Sequence, residues 1–339
     1  MDNLNELAEK YGEKEVTLKI LKKNLTRRKK WEAINNGLIF SLFDNFNFSE
    51  EKKEIENFKK NEIKFISFLN KNFPEELKSI PDAPIALFYK GEIDNDSPKI
   101  SIVGTRRCSS YGKKVAEEIA ELLSNNGVIV VSGLAYGIDS SAHIGALKGC
   151  GKTYAVLGGG LNKVYPKSNI NLSKKIEERG AVISEYFPDD EPRDFQFPER
   201  NRIIAGLSKA VVLVEAPEKS GALITVDFAI DFGREVFCVP GPINSELSVG
   251  CHKIIRDGGT ILTSYEDLLE FLNIKMVKKN LPELTKEEEE LLEKIPYVVT
   301  YIDDFLNSSS NLPLLISLES KGYIESFPGN YYMRKKWMS

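Results

Sequence analysis

Glycine and small polar residues recur in four short turns, each placed at or shortly after an apolar run of strand length. The turns contain Gly104, Ser132, Gly158 and Ser220. In a parallel sheet the carboxyl ends of the strands share one edge, where backbone N–H groups and helix N-termini favour anions. The pattern therefore predicts a site for a negatively charged ligand along that edge.

Basic and aromatic side chains accompany these turns. Arg106 ends the first turn, while Arg200 and Arg202 flank Asn201. One of the latter two arginines would face the ligand and the other would pair with buried carboxylates; the spacing does not decide which. The four turns together would form a long anionic cradle, which suits several successive phosphates. The rings of Tyr136 and Tyr165 beside it could stack on bases. The candidate nucleic-acid-binding residues are Gly104, Thr105, Arg106, Ser132, Gly133, Tyr136, Gly158, Gly160, Tyr165, Lys167, Arg200, Asn201 and Arg202.

Arg106 has two possible roles. After a strand-end turn, its guanidinium group can bind a phosphate held by the helix that begins near Ser109, because two forked donors match phosphate geometry. The alternative is a structural brace, in which Arg106 pairs with Glu185 or Glu215 at neighbouring strand ends. We favour the phosphate role.

Nucleotide cofactors are not predicted. Gly104 is followed by Thr105, Arg106 and Arg107, which does not match the G-x-G-x-x-G fingerprint of dinucleotide sites. A glycine, lysine and threonine at residues 151–153 resemble the end of a phosphate-binding loop, but they precede a strand where such a loop follows one. The four cysteines and two histidines show no metal-ligand spacing. We therefore expect no cofactor and no metal.

The elements that would position the turns form a regular alternation. Apolar runs at residues 100–103, 128–132, 153–157, 181–185, 210–215 and 235–239 are separated by segments of helix length. Strands that are apolar on both faces are typical of a parallel sheet covered by helices. The pattern predicts an α/β fold with a doubly wound, mainly parallel sheet. We expect a helical N-terminal domain at 1–60, the sheet domain at 61–275 and a winged-helix-like domain at 283–339.

The overall charge does not favour polyanions. Fifty acidic and 46 basic side chains give a net charge of -4, so any nucleic-acid site must be a local basic groove. The basic run at residues 22–30 could contact phosphates, but we favour a solvated helix face balanced by Glu6, Glu9, Glu13 and Glu15. No run approaches the roughly 18 apolar residues of a membrane span, and the N-terminus lacks an export signal. We expect a cytoplasmic protein that does not contact a membrane.

The ordered motifs resemble those of the DNA processing protein A family (DprA or Smf). The resemblance rests on Ile-Val-Gly-Thr-Arg at 102–106, Val-Ser-Gly-Leu-Ala-Tyr-Gly-Ile-Asp at 131–139, Phe-Pro-Glu-Arg-Asn-Arg at 197–202, Ser-Gly-Ala-Leu-Ile-Thr at 220–225 and Val-Pro-Gly at 239–241. It spans about residues 62–272. The segment at 318–324 also resembles the winged-helix module that many members carry.

This resemblance implies an extended Rossmann-like domain that binds single-stranded DNA without cutting it. It further implies a homodimer formed through that domain, and a role in protecting incoming DNA and loading the recombinase RecA during natural transformation. No catalytic residue is expected. These statements are what the family suggests, whereas the residues themselves predict only the anionic cradle.

An enzyme is the alternative. Rossmann-like phosphoribohydrolases of the lysine-decarboxylase-like group carry a P-G-G-x-G-T-x-x-E loop, and residues 220–225 occupy a comparable place. The position of the glutamate is Phe228, although Asp227 lies beside it. Without that carboxylate a general acid or base is missing. Asp139 and His143, four residues apart, are interpreted as a helix cap and a hydrogen-bonded core imidazole.

Overall fold

The computed structural model describes residues 2–36, 38, 43, 47–276, 282–305 and 311–335. The chain divides into two compact units, Met1–Lys275 and Met276–Ser339. The helical segment expected as a separate domain at 1–60 thus belongs to the same unit as the sheet expected at 61–275. Parts of the first and last expected domains, at residues 1, 37, 39–42, 44–46, 306–310 and 336–339, lie outside the described residues.

A nine-stranded sheet forms the centre of the first unit. Its order is β1-β2-β6-β5-β4-β3-β7-β8-β9. The strands are β1 (Lys64–Ser67), β2 (Ala86–Gly91), β3 (Lys99–Val103), β4 (Ile129–Ser132), β5 (Thr153–Val156), β6 (Ala181–Ser184), β7 (Ala210–Leu213), β8 (Glu235–Cys238) and β9 (Thr260–Ile261). β2 pairs antiparallel with β1 and β6, and the other pairs are parallel. The predicted doubly wound, mainly parallel sheet is confirmed.

The strand order reverses between β3 and β7. Crossovers from β3 run outward through β4, β5 and β6, whereas β7 starts a second series toward β9. Loops that leave adjacent strands in opposite directions open a crevice beyond their carboxyl ends. The candidate site is therefore expected beyond Val103 and Leu213, the last residues of β3 and β7.

Helices cover the strands. Those of the first unit are α1 (Asp2–Tyr11), α2 (Glu13–Lys22), α3 (Arg27–Asn35), α4 (Ser49–Lys60), α5 (Glu75–Lys78), α6 (Ser110–Asn125), α7 (Ile138–Lys148), α8 (Ile170–Arg179), α9 (Gln196–Leu207), α10 (Ala222–Asp231), α11 (Val249–Arg256) and α12 (Asp267–Phe271). Every residue of β3, β4, β5, β6 and β7 is buried. Burial on both faces explains why β-branched residues dominate these strands. Among the helices of the described residues, none has the length and apolar character needed to cross a membrane.

The N-terminal helices pack directly on the sheet unit. Leu18, Ile55 and Phe58 share an apolar cluster with Phe65 of β1 and Phe88 of β2. Buried apolar area is the main favourable term in such packing. It joins the helical segment to the edge of the sheet.

The basic run at residues 22–30 contributes to this packing. Lys22 pairs with Glu54, and Lys30 is buried and donates to the carbonyl oxygen of Leu21 at 2.7 Å. Arg28 is exposed and pairs with Glu32 one turn later. The run is therefore not a uniformly solvated helix face, because Lys30 is buried and Arg27 of the same run pairs with Asp82 and Glu185.

The second unit is small. It contains α13 (Lys286–Lys294), α14 (Leu312–Ser320), β10 (Thr300–Tyr301), β11 (Ile324–Phe327) and β12 (Tyr331–Arg334), with the strands in the order β10-β12-β11. A capping box between Thr285 and Glu288 starts α13. Two helices followed by a hairpin have the content of a winged helix, and we keep the winged-helix-like assignment as a proposal.

Candidate nucleic-acid interface

An open cleft of about 810 Å³ lies beyond the carboxyl ends of β3 and β7. The loop after β3, helix α9 and the loop that precedes α10 form its walls. Six of the predicted residues line it: Gly104, Thr105, Arg106, Tyr165, Arg200 and Asn201. Two more, Gly133 and Tyr136, line a narrow recess that shares Arg106 and Arg200 with the cleft. Residues far apart in the sequence thus meet along the predicted edge.

The first turn is fixed by its neighbours. The Thr105 amide donates to the carbonyl oxygen of Glu215, just after β7, at 2.7 Å. Gly137 has a φ of +76°, and a Cβ atom built there would lie 2.4 Å from the Thr105 oxygen. Only glycine satisfies both this backbone conformation and the close approach of the two loops. The loops that follow β3 and β4 therefore lie in close contact beside the cleft.

The carboxylate of Glu215 anchors the start of α6. It accepts from the backbone amide of Ser109 at 2.8 Å and from its hydroxyl at 2.5 Å. The Ser109 hydroxyl in turn accepts from the Gly112 amide at 3.0 Å, which caps the helix. Glu215 therefore acts as a hydrogen-bond acceptor that holds the start of α6 in place.

Arg200 supports the cleft from beneath. Its side chain is almost completely buried, and Nη1 donates to the carbonyl oxygen of Gly133 at 2.7 Å and to that of Val156. Burial lowers the pKa of Arg200 to about 10, partly offset by the nearby Asp139 carboxylate. The guanidinium group is still charged at neutral pH, so it places positive charge below the cleft.

Asp139 fixes the loop after β4. Its Oδ2 accepts from the amides of Gly133 at 3.2 Å and Ala135 at 3.3 Å. The sequence predicts a helix cap at Asp139, but Asp139 lies inside the first turn of α7 and accepts hydrogen bonds from amides that precede the helix. Burial raises the pKa of Asp139 against the opposing effects of Arg200 and these hydrogen bonds. Asp139 therefore holds the loop in place.

Arg106 extends over an aromatic side chain at the mouth of the cleft. Its Cζ lies 5.6 Å from the ring centroid of Phe197, which lies 5.6 Å from that of Tyr165. Tyr136 and Tyr165 are 48% and 47% exposed. Within the described part of the chain, no carboxylate pairs with Arg106, and Glu185, one of its possible partners, binds other arginines. This geometry leaves the guanidinium group available to a ligand.

Five of the predicted residues do not line the cleft. Ser132 is buried and donates to the Ile102 carbonyl oxygen at 2.7 Å. A Cβ on Gly158 would lie 2.7 Å from the Phe197 ring, and one on Gly160 would lie 2.3 Å from the Phe187 oxygen. These residues therefore allow close packing beneath the site.

The other two predicted residues that do not line the cleft are charged. Lys167 is exposed on a short 3-10 turn, Lys167–Asn169, outside the cleft lining. Arg202 is 2% exposed and pairs with Glu185. Of the two arginines around Asn201, Arg200 contacts the cleft and Arg202 pairs with carboxylates. We leave Arg202 out of the proposed binding surface.

Among the lining residues that the sequence did not single out, three are basic or aromatic and could contact a polyanion. Arg107 and Lys219 are exposed basic residues of the cleft lining, and Phe197 forms part of its wall. Arg107 adjoins Arg106, and Lys219 adjoins the turn at Ser220, so proximity to a selected turn was the available signal. Phe197 begins the motif at 197–202 that contains Arg200, so its place in that motif was the available signal.

Two of the residues considered for catalysis, His143 and Asp227, do not line the cleft. His143 is buried, and its Nδ1 lies 2.8 Å from the Thr153 hydroxyl. Burial, with the charge of Arg200, lowers the pKa of His143 to about 3. This environment makes it the core imidazole that the sequence suggested. Asp227 is exposed and does not line the cleft. Among the described residues, no group of three or more potential ligands could hold a metal ion.

Comparison with known proteins agrees with this architecture. The family model described as DNA recombination-mediator protein A matches residues 64–273. The DNA processing protein DprA of Streptococcus pneumoniae is 47% identical over 209 residues, which cover 61% of this chain and 74% of that protein.

Two solved structures are similar over most of their length. The X-ray structure of DprA from Streptococcus pneumoniae has a TM-score of 0.65 and 38% identity, and it covers 77% of this chain and 97% of that chain. The DNA processing protein A of Helicobacter pylori, studied for its single-stranded DNA binding mode, has a TM-score of 0.57 and 28% identity. That match covers 62% of this chain and 95% of the other.

The matched region contains all nine strands of the central sheet and the residues that form the cleft. It includes more than half of the chain. The resemblance seen in the motifs is confirmed, and the chain belongs to the DNA recombination-mediator protein A family.

Proposed function

We propose that this protein binds single-stranded DNA in the cleft beyond β3 and β7, in a DNA-processing role in transformation. Two relationships support the proposal: the similar proteins are named DNA processing proteins, and the Helicobacter pylori member was studied for single-stranded DNA binding. The cleft itself supplies the chemistry, since it combines positive charge with exposed rings.

The observation that carries the proposal is the arrangement of Arg106, Phe197 and Tyr165. A guanidinium group lies over one ring, and a second, half-exposed ring lies beside the first. Arginine suits phosphate because its donors are forked, and aromatic rings stack on unpaired bases of any sequence. A duplex hides its base faces within the stack. The site therefore favours a single strand over a duplex.

The protein acts by binding rather than by catalysis in this proposal. The rival phosphoribohydrolase function rests on Asp227, whose exposed carboxylate does not contribute to the cleft. Asp139, which does line it, accepts two backbone hydrogen bonds and is positioned to hold a loop. The bound strand is accordingly kept intact.

We also propose a homodimer formed through the Rossmann-like domain. β9 is a two-residue edge strand with both residues exposed. Val249, Ile261 and Phe271, each about two-fifths exposed, lie on α11, β9 and α12 at this end of the sheet. A short apolar edge suits an isologous contact, in which each copy presents the same surface.

The bound strand would be delivered to the recombinase RecA in the cytoplasm. Support for this step comes from the family description as a recombination mediator. It predicts that the protein accelerates RecA assembly on a single strand. Unchanged assembly kinetics at saturating protein would contradict this step without affecting the binding proposal.

Titration with labelled oligonucleotides tests the central proposal. Single strands and duplexes of equal length are compared at two salt concentrations by fluorescence anisotropy. We expect tighter binding of the single strand, and an affinity that falls as salt rises because phosphate contacts release counterions. Equal affinity for duplex, or binding that is indifferent to salt, would overturn the proposal.

A further inference from the structure

The N-terminal helices precede the region matched by the family model, and they are joined to the sheet unit by a part-buried ion-pair cluster. Arg27, the first residue of α3, lies at the centre of this cluster. Its Nε donates to Oδ1 of Asp82 at 2.7 Å, and its Nη1 donates to Oε2 of Glu185 at 3.0 Å. The side chains of Arg27 and Glu185 are 20% and 10% exposed. Burial lowers the pKa of Arg27, but the hydrogen bond to Asp82 and the charges of Glu185 and Asp82 outweigh this effect, so the pKa lies above its usual value.

The same carboxylates bind an arginine of α9. Nη2 of Arg202 pairs with Oε2 of Glu185, and Nε of Arg202 lies 3.5 Å from Oδ2 of Asp82. Arg27 and Arg202 thus share two acceptors, and Arg27 also lies 4.0 Å from the half-exposed carboxylate of Glu199. Removing Arg27 would leave an uncompensated negative charge in a part-buried site, which is costly unless the site rearranges.

Helix α9 connects this cluster to the cleft. Arg202 belongs to the cluster, while Phe197, Arg200 and Asn201 of the same helix line the cleft. Arg200 is also fixed, through its hydrogen bond to the Gly133 carbonyl oxygen. A helix transmits displacement as a rigid element, so a change at Arg202 moves the residues that face the ligand.

We propose that the N-terminal helices position α9, and that Arg27 is the positioning residue through which they set the affinity of the cleft for single-stranded DNA. The inference rests on the proposed function of the cleft. It gives residues 2–36 a role in binding although Arg27 does not line the cleft.

Two variants of adjacent residues test the proposal in the full chain. Arg27→Met removes the cluster contact, while Arg28→Met removes the same charge from a side chain that is 88% exposed and pairs only with Glu32 among the described residues. Any effect of overall charge is shared by both. With a labelled oligothymidylate, we expect Arg27→Met to weaken binding by about 3- to 30-fold, the range for coupling through packed networks, and Arg28→Met to leave it unchanged.

The salt dependence separates positioning from direct contact. A lost phosphate contact would flatten the slope of log affinity against log salt by about one, whereas a displaced α9 leaves the number of phosphate contacts unchanged. We expect the slope of Arg27→Met to equal that of the unmodified protein. A slope reduced by one, or equal affinities for Arg27→Met and Arg28→Met, would overturn the inference. Absence of binding by the unmodified protein would instead contradict the proposed function.

A measurement on the unmodified protein covers the case in which Arg27→Met fails to fold. Coupling between two sites is reciprocal, so DNA in the cleft must also stabilise the cluster. Hydrogen exchange with and without saturating oligothymidylate should show slower exchange in α3 when DNA is bound. Unchanged exchange in α3, alongside protection in α9, would refute the positioning role.

Discussion

Arg200 and Arg202 lie two residues apart on α9, yet one guanidinium group binds backbone carbonyl oxygens and the other binds a carboxylate. Nη1 of Arg200 donates to the Gly133 carbonyl oxygen at 2.7 Å, in the loop that borders the cleft. Nη2 of Arg202 pairs with the carboxylate of Glu185 in the cluster that holds the N-terminal helices. Successive positions on a helix face different directions, so one short motif joins the ligand site to its support.

We predict that Arg200→Met lowers both stability and DNA affinity. Methionine has a similar length but no donor, so the carbonyl oxygens of Gly133 and Val156 lose their buried partner. An unsatisfied buried acceptor costs about 1–3 kcal/mol of unfolding free energy. The loss of positive charge beneath the cleft weakens binding as well. Urea unfolding and oligonucleotide titration on one preparation measure the two effects.

Arg28→Met is the matched control for this change. Its side chain is exposed, so the free energy of unfolding should change little. If Arg200→Met were as stable as the control, the hydrogen bonds to the two carbonyl groups would contribute nothing to the fold.

We predict that His143 makes the folded state less stable as the pH falls. Burial and the charge of Arg200 hold its pKa at about 3 in the folded protein. In the unfolded chain the pKa of histidine is about 6.5. Below pH 6.5 the imidazole binds a proton in the unfolded chain but stays neutral in the folded protein. The free energy of unfolding therefore falls from about pH 6.5 towards pH 3.

His143→Asn isolates this effect. Asparagine can keep a hydrogen bond to Thr153 but does not titrate. Between pH 7.5 and 5.5 the unmodified protein should lose about 1.4 kcal/mol of unfolding free energy more than the variant does. Urea titrations at both pH values provide the comparison. Parallel losses in the two proteins would show that His143 is not responsible.

The dimer proposal predicts that Ile261→Glu yields monomers. Ile261 is 44% exposed on the edge strand β9, and two-fold symmetry would bring charged copies of this position close together. Light scattering at tens of micromolar should give the dimer mass for the unmodified protein and the monomer mass for the variant. Ile316→Glu, on the exposed surface of α14 in the other unit, is the control and should remain dimeric. A monomeric unmodified protein would contradict the proposal.

The sheet and the edge that carries the cleft were predictable from the sequence. Strands such as β3 are apolar on both faces, and the small residues at Gly104 and Ser132 mark their ends, so local pattern alone placed the turns. Helix orientation was not predictable in this way. The partners of Arg200 lie 67 and 44 residues away in the chain, and no local signal identifies them.

The roles of the glycines after β4 and β5 were also not predictable from local sequence. Gly133 and Gly158 lie in similar small-residue turns, but a Cβ atom on the first would meet the Arg200 guanidinium group, whereas one on the second would meet the Phe197 ring. Only the first borders the recess at the cleft. Both glycines allow a side chain to pack closely, so residue type cannot separate a glycine that borders the site from one that does not.

Arg106→Ala should weaken binding of single-stranded DNA without disturbing the fold. Within the described residues its guanidinium group contacts the Phe197 ring and pairs with no carboxylate, so its removal leaves no buried charge unpaired. Loss of hydrogen bonds to a charged phosphate should cost about 1–3 kcal/mol of binding free energy for any base sequence. The slope of log affinity against log salt should also become shallower by about one.

Arg28→Ala serves as the control, and its affinity and salt slope should be unchanged. Melting temperature and affinity are measured on the same preparation, because a structural brace would show the opposite pattern: a clear loss of stability with binding retained would reject the phosphate role.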